Sequence, residues 1–324
     1  MLTTADPVPD EERPAAPGEA YADLVRRLSR QSVTKHFDAY ANVPWDAPES
    51  RLDPDDPRFE HAPEHPLGGT DWYRSQPPAT RAGIGLHTVA TQMKTGALFE
   101  NALQRGLLEL ALTLPGDAPE LRYAYHEMIE EGQHSLMFHE FVHRSGFAVR
   151  GLGWLERLGA RAVVRTARTF PELFFVFVLG GEDPIDHAQR TALQSGRELH
   201  PLLRRIMQIH VTEEARHLCF ARAYLREHVP RLSPLRRRWL ALRAPLILGT
   251  MFRMMLRPSR QVIRTWGIPR EVIDAAYVRN PAHHAFARAS LAKVRTLFAE
   301  LGLFTPPAVR LWRLMGIWDA APAH

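Results

Sequence analysis

Two Glu-x-x-His units, Glu131-Gly-Gln-His134 and Glu214-Ala-Arg-His217, constrain this chain more than any other feature in it. On a helix that turns about 100° per residue, His210, Glu214 and His217 fall within about 60° of arc, so three ligand heads converge on one spot. Carboxylate oxygen and imidazole nitrogen together suit a hard cation such as iron or manganese. Two such units, with one Glu from each of two further helices, make the ligand set of a four-helix carboxylate-bridged dimetal site. The expected fold is therefore all-α, a helical bundle closed around a polar centre.

The two further glutamates can be found by periodicity. A long helix is predicted over about Ile84 to Leu114, and Glu100 sits in it among Met93, Ala97, Leu103 and Leu107 at helical spacing. A buried Glu is costly unless paired or coordinated; the alternative is an exposed Glu beside Asn101. A helix from about Pro119 to Ser145 carries Glu131 and His134, with Gly146 as its C-cap. Glu127, one turn before Glu131, is expected to orient a ligand by a hydrogen bond, whereas His126, Glu130, His139, Glu140 and His143 are expected in surface roles. The nearly apolar stretch ending in residues 173–179 is too short for a bilayer, where about 20 apolar residues are needed, and reads as buried core. It runs into Gly180-Gly181-Glu182, so Glu182 is placed at the end of a buried helix as the fourth glutamate. The glycines would allow a close helix approach or a bulge, and Asp183 and Asp186 are expected as caps or ligand-orienting acids. A helix from about Arg197 to His228 carries the second motif. Glu213 competes with Glu214, but only Glu214 repeats the spacing of Glu131 and His134. On spacing alone His210 is either a ligand or a satisfied core histidine.

Elsewhere the reading is coarser. A surface helix is expected over about Tyr21 to Tyr40. Residues 43–85 are broken by eight prolines, but Trp45, Phe59, Trp72 and Tyr73 should pack them onto the body. The first 19 residues, rich in Pro, Ala and acid, read as a disordered arm, with residues 20–324 as one domain whose metal-binding core spans about 84–230. After Pro230 come a hydrophobic helix over Trp239 to Leu256 and shorter ones near Pro269 to Val278, His283 to Leu301 and Pro307 to Ile317. Residues 231–324 carry sixteen basic against four acidic side chains, a net +12 that leaves −7 for the rest of a chain at +5 overall. No nucleic-acid motif accompanies this charge, so a solvated face is the plainer reading and an acidic carrier protein the partner it would suit. The single cysteine, Cys219, excludes an internal disulfide framework and suits a reducing cytoplasm.

The order Glu100, Glu131-x-x-His134, Glu182, His210-x-x-x-Glu214-x-x-His217 resembles the diiron arylamine N-oxygenase family, the p-aminobenzoate N-oxygenase type. The resemblance implies a ferritin-like bundle with additional C-terminal helices. It further implies that Glu100, Glu131, His134, Glu182, His210, Glu214 and His217 are all ligands, His210 matching the family's extra histidine. Two iron ions, or manganese with the same ligands, would then activate O2 to oxidise an aromatic amine nitrogen through hydroxylamine toward nitroso or nitro. An external electron donor is implied, and a homodimer without a membrane span is expected. Met93, Leu103, Phe174 and Phe177 are candidates to line the substrate cleft, and Lys94 and Arg105 are the nearest cations on the Glu100 helix. Rival readings are a diiron hydroxylase acting on a C–H bond of a small or carrier-tethered substrate, a ferroxidase-like protein, and a non-catalytic interaction protein.

Overall fold

Proline-started helices dominate the computed structural model, which describes residues 17–151 and 153–318. The arm expected over residues 1–19 lies almost wholly outside the described residues, and its last positions, 17–19, already belong to α1 (Pro17–Thr34). A four-residue helix, α2 (Asp71–Arg74), precedes the long α3 (Pro78–Ala111), which starts six residues earlier than periodicity predicts because Pro78 is tolerated where no helical N–H is needed. α4 (Pro119–Arg144) follows as expected, and Gly146 takes the left-handed conformation just beyond its end, with φ of 71°.

The apolar stretch beyond Gly151 is two helices rather than one. α5 (Trp154–Thr169) ends at Phe170, where the backbone leaves the helical region ahead of Pro171. α6 (Pro171–Gln194) then runs straight through Gly180, Gly181 and the internal Pro184. Glu182 therefore stands in the middle of a helix and not at its end, which corrects the expectation. Asp183 and Asp186 cap nothing: Asp183 pairs with Arg222, and Asp186 with Arg190, whose guanidinium also donates to Val211 O at 2.7 Å.

α7 (Pro201–His228) carries the second motif. α8 (Pro234–Leu256) and α9 (Arg260–Thr265) follow, then α10 (Arg270–Tyr277), α11 (Pro281–Ser290), α12 (Ala292–Glu300) and α13 (Pro306–Leu314). α9 is an addition to the prediction, and the helix predicted over His283 to Leu301 is divided into α11 and α12 at Leu291. The segment 234–265 is apolar and long enough to cross a membrane by composition, yet half of its most apolar window is buried, with α8 packed against α6 and α13.

The bundle proper is α3, α4, α6 and α7, with α3 packed on α4, α6 on α7, α1 across α4 and α7, and α5 against α3 and α6. The proline-rich segment before α3 is packed down as expected: Trp45, Phe59 and Tyr73 are buried, and Trp45 Nε1 donates to Ala39 O at 2.6 Å. The turn that leads into it from α1 crosses the second motif, where the Phe37 amide donates to Glu213 Oε1 at 3.2 Å.

The glycine pair works by close approach. A Cβ on Gly181 would lie 2.3 Å from the ring of Phe99, which lies directly over this turn of α6. Gly181→Ala should therefore cost about 1–3 kcal/mol by overpacking, read as a lower denaturation midpoint at unchanged slope. A loss under about 0.5 kcal/mol would show that the ring moves aside freely.

Candidate metal centre

All seven side chains expected from the sequence lie inside the bundle, from Glu100 on α3, Glu131 and His134 on α4, Glu182 on α6, and His210, Glu214 and His217 on α7, none more than 2% exposed. They meet as three overlapping groups: Glu100, His134 and His210; Glu131, Glu214 and His217; Glu182, His210 and Glu214. Within each group the ligand-type atoms lie within 4.8 Å of one another. Glu214 is the hub. Its Oε1 is 3.0 Å from His217 Nδ1, 3.5 Å from His134 Nδ1 and 3.9 Å from His210 Nε2. Glu131 spans the centre from the other side, with Oε2 3.1 Å from His134 Nδ1 and Oε1 2.9 Å from His217 Nδ1.

The residues just before the two motif glutamates make a second, crossed layer. His134 Nε2 lies 2.9 Å from Glu213 Oε2 on α7, and His217 Nε2 lies 2.7 Å from Glu130 Oε2 on α4. Each carboxylate holds its imidazole through Nε2 and leaves Nδ1 facing the centre. Arg216, also buried, donates to Glu130 Oε1 at 2.8 Å and lies 3.6 Å from Glu213 Oε1, tying the two acids together. The sequence reading missed this layer. It put Glu130 at the surface, because a single helix cannot show that a neighbour covers that face, and treated Glu213 only as a rival ligand. The signal was present as a doubled Glu-Glu-x-x-His, of which only the second Glu was used. Glu127 departs from expectation in the opposite sense: it is buried, but neither carboxylate oxygen has a hydrogen-bond partner among the described residues, so it orients no ligand by a hydrogen bond there.

The electrostatics suit a cation. Burial, then the neighbouring carboxylates Glu131 and Glu182, holds the Glu100 carboxyl well above the usual carboxylate range. Burial and Glu214 do the same to Glu182, and Glu214 is raised chiefly by burial. His134 moves the other way for a base: burial disfavours its charge, but hydrogen bonds to Glu131 and Glu213 win and push it up to about 10. His217 is raised against burial by Glu214 and Glu131, while burial and His134 hold His210 well below the usual imidazole range. Glu100 Oε2, Glu214 Oε2 and His210 Nδ1 are buried without a hydrogen-bond partner among the described residues. Orphaned acceptors gathered in one dry volume carry a desolvation cost that positive charge offsets. The residues present fit a pair of oxygen- and nitrogen-liking cations.

A small cavity of about 60 Å³ reaches the centre and is lined by Met93, Phe99, Glu100, Glu182, Met207 and His210, among others. Met93, one of the four candidates for the substrate cleft, is thus beside the centre. Leu103 and Phe174 are not: both are fully buried core, outside the two cavities nearest the centre. Phe177 lines a separate, much larger cavity on the far side of Phe99. Lys94 and Arg105 line neither cavity, in keeping with a helix on which neither is clearly directed inward.

The family model described as p-aminobenzoate N-oxygenase AurF matches residues 18–302. The uncharacterized proteins MT0908 of Mycobacterium tuberculosis and Mb0909 of Mycobacterium bovis are each 37% identical to this chain over 304 residues, 94% of it and 89% of the relative. Because the family match runs unbroken through every helix that brings a carboxylate or imidazole to the centre, the chain belongs to the p-aminobenzoate N-oxygenase family of ferritin-like diiron proteins.

Proposed function

We propose that the protein is a diiron N-oxygenase that oxidises an aromatic amine, with Glu100, Glu131, His134, Glu182, His210, Glu214 and His217 as the metal ligands. The convergence of four carboxylates and three imidazoles from four helices in one buried volume carries this reading. Bound there, two iron ions would supply electrons and Lewis acidity for the reduction of O2. The first turnover, R–NH2 + O2 + 2e⁻ + 2H⁺ → R–NHOH + H2O, draws its electrons from an external donor, and repetition at nitrogen leads toward nitroso or nitro. Glu130 and Glu213 hold the imidazoles of His217 and His134 with Nδ1 inward. Phe99, Phe138 and Met93 keep the approach from the small cavity apolar, limiting water at the reacting end of the substrate. The lone Cys219, only partly buried and off the ligand arc, fits a cytoplasmic enzyme.

Metal loading should depend on pH with a definite sign. His134 and His217 are held protonated by neighbouring carboxylates, and Glu100, Glu182 and Glu214 are raised toward their neutral forms. Each of these groups must lose its proton to donate a lone pair, so affinity rises with pH and falls in acid. Between pH 6 and 8 the apparent affinity for Fe(II), titrated anaerobically, should rise at least about tenfold per pH unit, one proton's worth. A flat profile would contradict the ligand assignment.

The activity itself is tested by reconstituting the protein with two equivalents of Fe(II), adding a reductant and O2, and screening an arylamine panel by mass spectrometry. One oxygen atom added at nitrogen is the expected result. Oxygen found only at carbon would replace the reading with a C–H hydroxylase, and uptake of many irons per chain without substrate oxidation would replace it with a ferroxidase.

A further inference from the structure

A cavity of about 950 Å³ lies between α3, α5, α6 and α8, near the top of the roughly 300–1,000 Å³ range of small-molecule sites. Its walls are almost wholly apolar, with Leu98, Val163, Phe177 and Met251 among them. The sequence builds it by amphipathic spacing: α5 turns Ala160, Val163, Val164 and Ala167 toward the bundle and leaves Arg157, Arg161, Arg165 and Arg168 exposed. Phe99 lines this cavity and the small cavity at the metal centre alike, so one aromatic ring partitions the two. That ring rests on Gly181 and is tilted against Phe177 at 4.8 Å between centroids.

The charged side chains lining the cavity are Arg236, Arg243 and Glu156. Arg243 lies over the ring of Trp239 at 4.9 Å, and Arg236 over Phe170 at 4.6 Å while donating to Thr169 O. Among the described residues neither arginine has a carboxylate partner. Glu156 is already engaged by the Gly153 amide at 2.6 Å. Leu235 and Trp239, 66% and 50% exposed, stand beside the arginines, an apolar lip with two cations on it.

We propose that this cavity is the substrate site, and that its ligand is an elongated anionic amphiphile: the acidic end held by Arg236 and Arg243, the apolar body in the cavity, and the opposite end directed past Phe99 to the metal centre. The proposal rests on the N-oxygenase reading for the amine at that far end. It narrows the substrate class, since a single-ring aminobenzoate would leave most of the apolar volume unfilled while a longer body fills it. Apolar burial then supplies the affinity, and the guanidinium pair supplies orientation and selects against cations.

The test is equilibrium binding to the purified, metal-loaded full-length protein by calorimetry, with three probes kept below micelle-forming concentrations: dodecanoate, dodecyltrimethylammonium and p-aminobenzoate. Dodecanoate should bind with one site per chain and at least tenfold tighter than either other probe. Gly159→Phe fills the cavity from α5, where an added Cβ meets nothing within 4 Å, and should weaken dodecanoate at least tenfold with iron content unchanged. Arg243→Gln should weaken dodecanoate at least fivefold and erase much of its preference over the cationic probe. Absence of saturable dodecanoate binding, equal affinity for the two long-chain probes, or indifference to both substitutions would overturn the proposal. These results do not depend on turnover: a protein that binds dodecanoate as described but fails to oxidise any arylamine sinks the N-oxygenase reading and leaves the cavity assignment standing.

Discussion

Glu214→Ala should reduce iron from two ions per chain to at most one and lower N-oxygenation by at least about a hundredfold. The reason is position. Glu214 Oε1 faces the ring nitrogens of all three imidazoles within 3.9 Å, and Glu214 belongs to two of the three ligand groups. No other carboxylate is so shared, and Ala leaves both the hub oxygens and their charge unreplaced. Were two cations held here, a carboxylate shared by them would offset their mutual repulsion, so its removal would cost more than one ligand's worth of affinity. The comparison that gives the result meaning is Glu213→Ala, one residue away on the same helix. That change removes only the carboxylate behind His134, and partners of this kind typically cost about 10–100-fold in metal affinity or activity. If the two variants retained iron equally well, Glu214 would not be a shared ligand and the assignment built on the repeated spacing would fail. Iron per chain by elemental analysis and turnover on one arylamine are the two measurements needed.

Glu130→Ala should be among the most destabilising single changes in the protein, by about 3–5 kcal/mol. Glu130 is buried and accepts from both His217 Nε2 and the Arg216 guanidinium. Burial works against its charge, yet hydrogen bonding from His217 and the charges of His217 and Arg216 still hold its carboxyl below the usual range. Taking that carboxylate away leaves Arg216, itself only 6% exposed, without its closest counter-charge and frees the ring of His217 to turn. Both consequences can be read separately. The stability loss appears in denaturation of the metal-free protein, and the positioning loss appears as a fall of about 10–100-fold in iron affinity. Glu130→Gln separates them further, since the amide can still accept a hydrogen bond from Nε2 but no longer balances Arg216. Restored iron affinity with persistent instability is expected for Gln. Unchanged stability and iron binding in Glu130→Ala would show that the crossed layer contributes nothing.

The layer behind the ligands also shows where reading a sequence one helix at a time reaches its limit. The seven inward side chains were legible because side chains obey the period of their own helix: Glu131 and His134, or His210, Glu214 and His217, share a face whatever surrounds them. Glu130 and Glu213 lie about 100° from the motif glutamates beside them and about 40° from the motif histidines four residues on, at the edge of that face, toward a neighbour whose identity is a matter of packing. Only once α4 and α7 lie side by side does each acid come opposite the other helix's histidine. The continuation of α6 through Pro184 has the same character: it depends on burial, which lets a helix carry a proline where an isolated peptide would end.

The long helices, the all-α class, the ligand heads and the likeness to a diiron N-oxygenase family were determined by the chain alone, because spacing along a helix is a local property that survives without its surroundings. The crossed carboxylate pairs, the partition of two cavities by Phe99, and the placing of Arg236 and Arg243 of α8 at the larger of them were decided only by the folded molecule. Each of them joins residues tens to more than a hundred positions apart, and which surfaces meet at such separations is set by the packing of whole helices rather than by any pattern within one.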